Sequence, residues 1–292
     1  MVVPNSVAKL IAVVGETASG KSTVGLELAR RFNGEIIAAD SWTVYRGFDI
    51  GTAKPSNSDQ ADIPHHLINI VDAHSGFNAA LYKELALQAI ADIQVRGKVP
   101  IMVGGTGLYV NSVLYDYSFM PAGPTDLRAQ RNAMTIDELL AEIEAENISL
   151  GGIDVRNKRR LIRLLESGGE RPENKGLRPN TLIIGLSVER QVLQQRIEQR
   201  VDAMLHDGLA QEVAALSNRY GWEVEPMKGI DYREWREYFE GSQNLALTRQ
   251  RIIRATMQLA KRQRTWFKRD SSIQWLDDPS KAVDLATSFL NK

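Results

Sequence analysis

The sequence predicts an α/β fold, in which helices flank a parallel sheet, and three observations support this. Short apolar runs alternate with segments of helical periodicity, as strands buried on both faces and their crossover helices do. Two apolar runs lead directly into glycine-rich turns, at residues 15–20 and 104–107, and a third ends in Asp40 and Ser41. Because ligands bind at the carboxyl ends of such strands, we expect both turns and Asp40 to lie at one edge.

The first glycine turn matches the phosphate-binding pattern G-x-x-x-x-G-K-[ST], between a predicted strand at 10–14 and a predicted helix at 23–32. Glycines let backbone amides converge on an anion, and the helix N-terminus adds partial positive charge. Lys21 can bind the outer phosphates and Ser22 can hold Mg²⁺. We therefore predict a P-loop NTPase-like core with a diphosphate or nucleotide site. Its residues are Gly15, Glu16, Thr17, Ala18, Ser19, Gly20, Lys21 and Ser22.

The same pattern predicts the remaining elements. Four more strands are predicted at 35–39, 99–103, 181–186 and 272–276. Eight more helices are predicted at 77–95, 135–147, 157–167, 189–205, 209–220, 232–239, 247–268 and 281–290. Residues 120–124 are predicted to be a linker and residues 167–180 a flexible loop, because both are rich in glycine and proline.

Composition restricts the class of protein. The chain has 292 residues, of which 43% are hydrophobic and 25% charged, which is typical of a globular protein. The absence of cysteine excludes disulfides, thiolate zinc sites and cysteine nucleophiles. No apolar stretch is long enough to span a membrane, and the first residues lack the pattern of a signal peptide. We expect a cytoplasmic protein.

The net charge is zero, but basic residues are concentrated in two places. Residues 241–269 contain eight lysines and arginines and no acidic residue, and the predicted helix 157–167 carries Arg159, Arg160 and Arg163 on one face. A solvated face normally mixes both signs, so these segments are predicted to face an anionic partner. The alternative is that they form ion pairs with acidic helices elsewhere, such as residues 137–146.

Two other polar features have more than one interpretation. Asp40 could act at the phosphate site, cap the next element or assist a magnesium site of the kinase type. The adjacent His65 and His66 lack a nearby third ligand, so hydrogen-bonded loop histidines are favoured over a metal site.

These motifs together resemble one family, the tRNA dimethylallyltransferases, over nearly the whole chain. The matching segments are 15–22, 40–47, 49–55, 64–67, 104–109, 232–234 and 260–267. The resemblance implies transfer of a dimethylallyl group from dimethylallyl diphosphate to the exocyclic N6 amine of the adenosine immediately 3′ of the anticodon, with release of diphosphate. It also implies a catalytic core at 1–120 and 179–292, a helical insertion at 121–178 that contacts tRNA, and a nucleotide extruded into a channel.

The resemblance further implies roles for individual residues. Asp40 is expected to take the proton of the amine, Thr106 to bind the bridging oxygen, and Lys21, the loop amides and Mg²⁺ to hold the diphosphate. The expected contacts with the tRNA anticodon stem-loop are Asp40, Ser41, Trp42, Thr43, Thr106, Arg128, Arg159, Arg160, Arg163, Lys228 and Tyr232. We expect a monomer.

The chain departs from the family pattern at three positions. Glu16 replaces a proline, Asp231 replaces a glycine, and Met257 replaces an arginine expected to touch the diphosphate. Arg254, one helical turn earlier, is predicted to substitute for that arginine. Two other functions share parts of the pattern: a P-loop small-molecule or nucleotide kinase, and an RNA-binding NTPase without transfer chemistry.

Overall fold

The computed structural model describes residues 8–119, 123–171 and 175–292. The chain divides into two compact units. The core unit comprises Met1–Leu114 and Leu177–Lys292, and the insertion unit comprises Tyr115–Gly176. Most of the linker predicted at 120–124 and part of the loop predicted at 167–180 lie outside the described residues.

A six-stranded parallel sheet forms the centre of the core unit, which confirms the predicted fold class. Its strands are β1 (Leu10–Gly15), β2 (Gly34–Ala38), β3 (His65–His66), β4 (Val99–Gly104), β5 (Thr181–Leu186) and β6 (Ile273–Leu276). Their order is β3-β2-β4-β1-β5-β6. Because β4 lies between β1 and β2, the loops that follow these three strands are neighbours at one edge.

Twelve helices are present in the described residues. They are α1 (Lys21–Arg31), α2 (Asn57–Asp62), α3 (Ala79–Val95), α4 (Gly107–Leu114), α5 (Thr125–Ala133), α6 (Ile136–Ala145), α7 (Lys158–Glu166), α8 (Arg190–His206), α9 (Leu209–Tyr220), α10 (Arg236–Phe239), α11 (Leu245–Phe267) and α12 (Ala282–Leu290). None of the helices in these ranges combines the length and the apolar character needed to cross a bilayer.

Two apolar clusters stabilise the core unit. In one, α1 and α12 pack against the sheet through Leu28, Ala286 and strand residues such as Ile11. The other joins α8, α9 and α11 to the loop after β2 and includes Ile197, Val213 and Trp235. Since the second cluster packs behind the loop that carries Asp40, it holds α8 and α11 beside the carboxyl edge of the sheet.

The structure differs from the predicted elements in a few segments. Residues 65–66 form the short edge strand β3, because they pair in parallel with β2. The helix predicted at 232–239 is a 3₁₀ turn (Arg233–Trp235) followed by the single-turn α10, since apolar spacing of three fits both helix types. Helices α2, α4 and α5 were not predicted, because turn-forming residues or weak periodicity obscure their pattern.

The insertion unit is helical and has its own core. Helices α6 and α7 pack through Leu139, Ile143, Leu161 and Leu165. Thr135 caps the start of α6 and forms a reciprocal capping box with the residue three positions later. The basic residues of α7 lie opposite this buried stripe, as its sequence predicts.

Candidate active site

The predicted phosphate loop connects β1 to α1. Gly20 has a φ of 95° immediately before α1 begins at Lys21, a conformation that glycine adopts without strain. The positive end of the helix and its unpaired amides therefore lie in the loop. The Lys21 Nζ donates to the carbonyl oxygen of Glu16 at 3.1 Å, and Ser22 is exposed on the first helical turn. These are the features of an anion site.

Asp40 and Thr106 lie on adjacent loops, after β2 and β4. The Thr106 amide donates to the carbonyl of Ala39 at 3.1 Å, and the Thr106 hydroxyl accepts from the Ser41 amide at 3.0 Å. Asp40 Oδ1 accepts from the Trp42 amide at 2.9 Å, which orients the carboxylate. The sheet thus brings the two residues together through Ser41.

A cavity of about 320 Å³ lies between the phosphate loop and Asp40. Its polar lining in the described residues includes Thr17, Lys21, Ser22, Asp40 and Gln263. The cavity also reaches Gly104, but Thr106 is not among the described residues that line it. A phosphate site and a carboxylate therefore share one cavity, with Thr106 at its side.

Arg200 of α8 is a site residue that the sequence analysis missed. It lines the cavity and its guanidinium donates to the Thr17 hydroxyl at 3.3 Å. Burial, and then the charge of Arg200, lower the pKa of Lys21 to about 8. In the sequence, Arg200 follows Arg196 and Glu198 and resembles one residue of a solvated face. Its position between Ile197 and Val201, both buried, is the only signal that could have identified it.

Gln263 in α11 forms hydrogen bonds with both glycine turns. The Thr17 amide donates to Gln263 Oε1 at 2.7 Å, and Gln263 Nε2 donates to the carbonyl of Gly105 at 3.0 Å. A Cβ on Gly105 would lie 2.3 Å from Gln263 Nε2, so a larger residue there would displace the Gln263 side chain from this position. Gln263 therefore positions the phosphate loop against the turn that carries Thr106.

Glu16, the residue that replaces the family's proline, is buried and paired. Its exposed fraction is 3%, and its carboxylate forms an ion pair with Arg264 of α11. Arg264 also donates to the carbonyl of Val188 at 2.8 Å. The negative charge at the phosphate loop is therefore compensated by a helix that also supplies Gln263.

The three arginines at 249, 251 and 264 bind carboxylates in the core unit. Arg249 pairs with Asp202, and Arg251 pairs with Glu237 at 2.6 Å. The alternative interpretation, internal ion pairs, thus accounts for part of the basic segment 241–269. The acidic partners of these arginines are not in residues 137–146, where we expected them. Arg254 is exposed and is not among the described residues lining the cavity, while Met257 packs with the α8–α11 cluster.

The residues predicted to bind tRNA occupy different environments. Arg159 and Arg160 are exposed on α7, and Lys228 is exposed beside a cleft. Arg128 and Arg163 both bind Glu166, whose side chain is 1% exposed. Tyr232 is buried and its hydroxyl donates to Glu212 at 2.7 Å, which favours a packing role. In the loop after Asp40, Ser41 and Trp42 are half-buried and Thr43 is buried.

The two adjacent histidines form hydrogen bonds, as predicted. His65 Nδ1 lies 2.7 Å from the carbonyl of Ile63, and His66 Nε2 lies 2.7 Å from Glu35 Oε2. Across the part of the chain that the structure describes, no group of three or more histidines and carboxylates could hold a metal ion by itself.

A family model described as IPP transferase matches residues 43–270. The chain belongs to the IPP transferase family. Among the relatives of this IPP transferase chain, the "tRNA dimethylallyltransferase" of Desulforudis audaxviator is 41% identical over 289 residues, covering 92% of this chain and 91% of the relative. A protein of the same name from Lactococcus lactis is 40% identical and covers 97% and 99%.

Solved structures agree with this family. The full-length tRNA isopentenylpyrophosphate transferase of Bacillus halodurans is 36% identical, with a TM-score of 0.75 and coverage of 97% of this chain and 95% of that one. A eukaryotic dimethylallyltransferase acting on tRNA is 27% identical, with a TM-score of 0.81 and coverage of 97% and 79%. The IPP transferase fold therefore extends over nearly the whole chain.

Proposed function

We propose that this protein transfers a dimethylallyl group from dimethylallyl diphosphate to the N6 amine of the adenosine 3′ of the anticodon in tRNA and releases diphosphate. The observation that carries the proposal is the shared cavity, in which the phosphate-loop lysine and Asp40 line one space in a chain of the IPP transferase family. A donor held by its diphosphate would have its allylic carbon close to a carboxylate.

The leaving group is held by positive charge. Lys21, Arg200 and the amides at the start of α1 surround the position where phosphate oxygens would lie. Because the pKa of Lys21 is lowered to about 8 in the free protein, an arriving diphosphate would favour its charged form. These groups stabilise the charge that develops on the diphosphate as the carbon–oxygen bond breaks.

Mg²⁺ fits this site through Ser22. The Ser22 hydroxyl lines the cavity and is exposed, and Mg²⁺ is commonly held by one or two protein oxygens together with substrate phosphates. When bound, the ion would neutralise charge on the leaving diphosphate.

Asp40 would accept the proton of the attacking amine. The amine of adenosine is a weak nucleophile because its lone pair is delocalised into the ring, so proton removal as the bond forms lowers the barrier. The hydrogen bond from the Trp42 amide holds the carboxylate in place. Thr106 would bind the bridging oxygen; its hydroxyl accepts from the amide of Ser41, the residue after Asp40, at the same edge of the sheet. The monomeric state and the cytoplasmic location stay predictions.

The test is a transfer assay with labelled dimethylallyl diphosphate and tRNA that lacks the modification. We expect Asp40→Asn to lower kcat by about 10²–10⁴-fold while donor affinity is retained, since asparagine keeps the acceptor for the Trp42 amide. Asp277→Asn, at an exposed position, is the matched control. ATP hydrolysis without label in the RNA would instead support a kinase or an NTPase.

A further inference from the structure

The segment 49–55, which we call the 49–55 loop, contains no helix or strand and lies beside the reaction site. Residues 52–55 line the larger cavity, which Asp40 also lines. Residues 51 and 52 line a smaller cavity of about 50 Å³, together with Asp40 and Asp231. The loop is therefore part of the wall that a donor beside Asp40 would contact.

The wall formed by this loop is thin. Residues 53–55 line both the larger cavity and an open cleft of about 470 Å³. Ala53 is exposed and has a φ of 47°, a left-handed conformation that costs stability in a residue with a Cβ. Because open space adjoins the same three residues in two places, close packing alone does not hold them in position. Specific polar contacts must therefore fix the conformation of the loop.

Glu212 of α9 binds the first three residues of the loop. Its Oε2 accepts from the amides of Asp49 and Ile50 at 3.0 and 2.8 Å, and its Oε1 accepts from the amide of Gly51 at 3.1 Å. Successive backbone amides that converge in this way form an anion-binding turn. The anion in this turn is a side chain of the protein itself. The next residue of α9, Val213, is fully buried, which keeps the carboxylate in place.

Tyr232 contacts both the carboxylate and the loop. Its hydroxyl donates to Glu212 Oε1 at 2.7 Å, and a Cβ on Gly51 would lie 2.6 Å from its Cζ atom. Its ring is 1% exposed and packs edge to face on Phe48, with 5.1 Å between the ring centroids. Burial, and then the charge of Glu212, raise the pKa of Tyr232, so its hydroxyl keeps the proton that it donates.

Lys54 holds the other end of the loop. Its Nζ donates to the carbonyl of Tyr45 at 2.5 Å, to Asp49 Oδ1 at 2.7 Å and to Asn69 Oδ1 at 2.6 Å. The side chain of Lys54 is only 4% exposed. The loop is therefore held by a carboxylate at its start and by an ammonium group near its end, and each of these groups has at least three hydrogen bonds.

We propose that Glu212 is a positioning residue for the transfer reaction, because it holds the 49–55 loop in the conformation that places the hydrocarbon part of the donor beside Asp40. Glu212 is not among the described residues that line the two cavities or the cleft, so it acts through the loop. The diphosphate is held elsewhere, by Lys21 and Arg200. This inference rests on the proposed function, because it requires a donor in the larger cavity.

The experiment compares Glu212→Gln with the unmodified protein. Glutamine has the same shape as glutamate, but it presents an NH₂ group to backbone amides that need an acceptor. We expect kcat for transfer at saturating donor and tRNA to fall by at least about tenfold, since small displacements of reacting groups cost this much. The affinity for inorganic diphosphate with Mg²⁺, measured by calorimetry, should change by less than about twofold, since the phosphate loop is intact. Tyr232→Phe keeps the ring against Gly51, so a smaller fall in kcat is expected.

Two further measurements separate positioning from stability. The rate is expressed per folded molecule by circular dichroism, and Glu84→Gln, at an exposed position of α3, is the matched control. Hydrogen exchange of the amides of residues 49–51 reports on the loop directly. We expect faster exchange there in Glu212→Gln than in Glu84→Gln, with the exchange of β1 unchanged.

The outcomes distinguish the two proposals. A kcat per folded molecule within about twofold of the unmodified value would overturn the inference while leaving the proposed function intact. An equal loss of diphosphate affinity and of kcat would also overturn it, because the substitution would then act on the whole site. Unchanged exchange of residues 49–51 would refute the role of Glu212 in holding the loop. If the unmodified protein transfers no dimethylallyl group to tRNA, the proposed function fails and the inference fails with it.

Discussion

Glu16 in the phosphate loop and Arg264 in α11 form an ion pair in which the carboxylate is almost completely buried. Truncation of one partner of such a pair leaves an uncompensated buried charge. We expect Arg264→Ala to lower the free energy of unfolding by about 3 kcal/mol and to weaken diphosphate binding, because Glu16 would then act on the loop unopposed.

A double-mutant cycle measures this pair. Chemical denaturation of Glu16→Gln, Arg264→Met and the double variant gives the coupling energy. We expect the double variant to be more stable than Arg264→Met, since it removes the carboxylate together with its partner. Strictly additive effects would show that the two side chains do not depend on each other.

The second prediction separates two arginines that could bind the diphosphate. Arg200 lines the cavity and contacts Thr17, whereas Arg254 is exposed on α11. We expect Arg200→Met to weaken donor binding by at least about tenfold, as loss of a charge-assisted hydrogen bond does. Arg254→Met is the matched variant, and calorimetry with dimethylallyl diphosphate compares them. A larger loss in Arg254→Met would instead favour Arg254 as the substitute for the arginine missing at Met257.

The third prediction concerns stability and pH. The pKa of Asp231 is about 7 in the folded chain against an ordinary value of 3.8, so the folded state binds the proton more tightly. Its contribution therefore lowers the free energy of unfolding as pH rises from about 4 to about 7, with no further change above that. The charged groups that act on Asp231 or share its cavity are Arg200, Arg233, Glu234 and Asp40.

Thermal unfolding at pH 5 and pH 8 checks the sign. Asp231→Asn cannot ionise, so its melting temperature should fall less between the two pH values than that of the unmodified protein. At pH 8, Asp231→Gly should be more stable than the unmodified protein, because the substitution removes a buried carboxylate oxygen and the strain of a positive φ. If the melting temperatures of all three proteins depended equally on pH, the titrating group would be a residue other than Asp231.

The fourth prediction concerns tRNA binding by the insertion unit. Arg128 and Arg163 both pair with the buried Glu166, so charge reversal there would also disturb folding. The test therefore uses Arg159 and Arg160, which are exposed on α7. We expect the double reversal to glutamate to weaken tRNA binding and to reduce its salt dependence by about one unit of slope per lost phosphate contact.

The control for this experiment is Arg31→Glu, an exposed reversal at the end of α1 in the core unit. Filter binding at several salt concentrations gives both slopes. Unchanged tRNA affinity in the α7 variant, or an equal loss of affinity in Arg31→Glu, would show that this face of α7 does not contact the RNA.

The parallel sheet was predictable, and so was the position of Lys21 and Asp40 at the same edge of it, because both depend on local sequence. A strand followed by a glycine turn and a helix specifies its own geometry, and the carboxyl edge of a parallel sheet collects whatever follows each strand. The positions of Arg200, Gln263 and Arg264 were not predictable in this way. Their roles depend on where α8 and α11 pack, and an arginine within a mixed-charge helix has the same pattern whether it faces solvent or a cavity.

The environment of Asp231 was also not predictable from local sequence. Its substitution for a glycine was visible in the sequence, whereas its φ of 75° is known only from the structure. Its burial in the wall of a small cavity depends on Ile197, Val201 and Leu259, which come from two distant helices. Periodicity identifies these as core residues but cannot indicate that a gap remains between them.

The hydrogen bond from Thr17 to Gln263 spans 246 residues of chain. During synthesis, the phosphate loop leaves the ribosome long before α11. The early part of the chain therefore contains the anion-binding motif without the hydrogen bond from Thr17 to Gln263. A nascent chain that stops before α11 would therefore bind diphosphate poorly although the motif is complete. The chain would therefore acquire its affinity for the donor only after α11 has been synthesised.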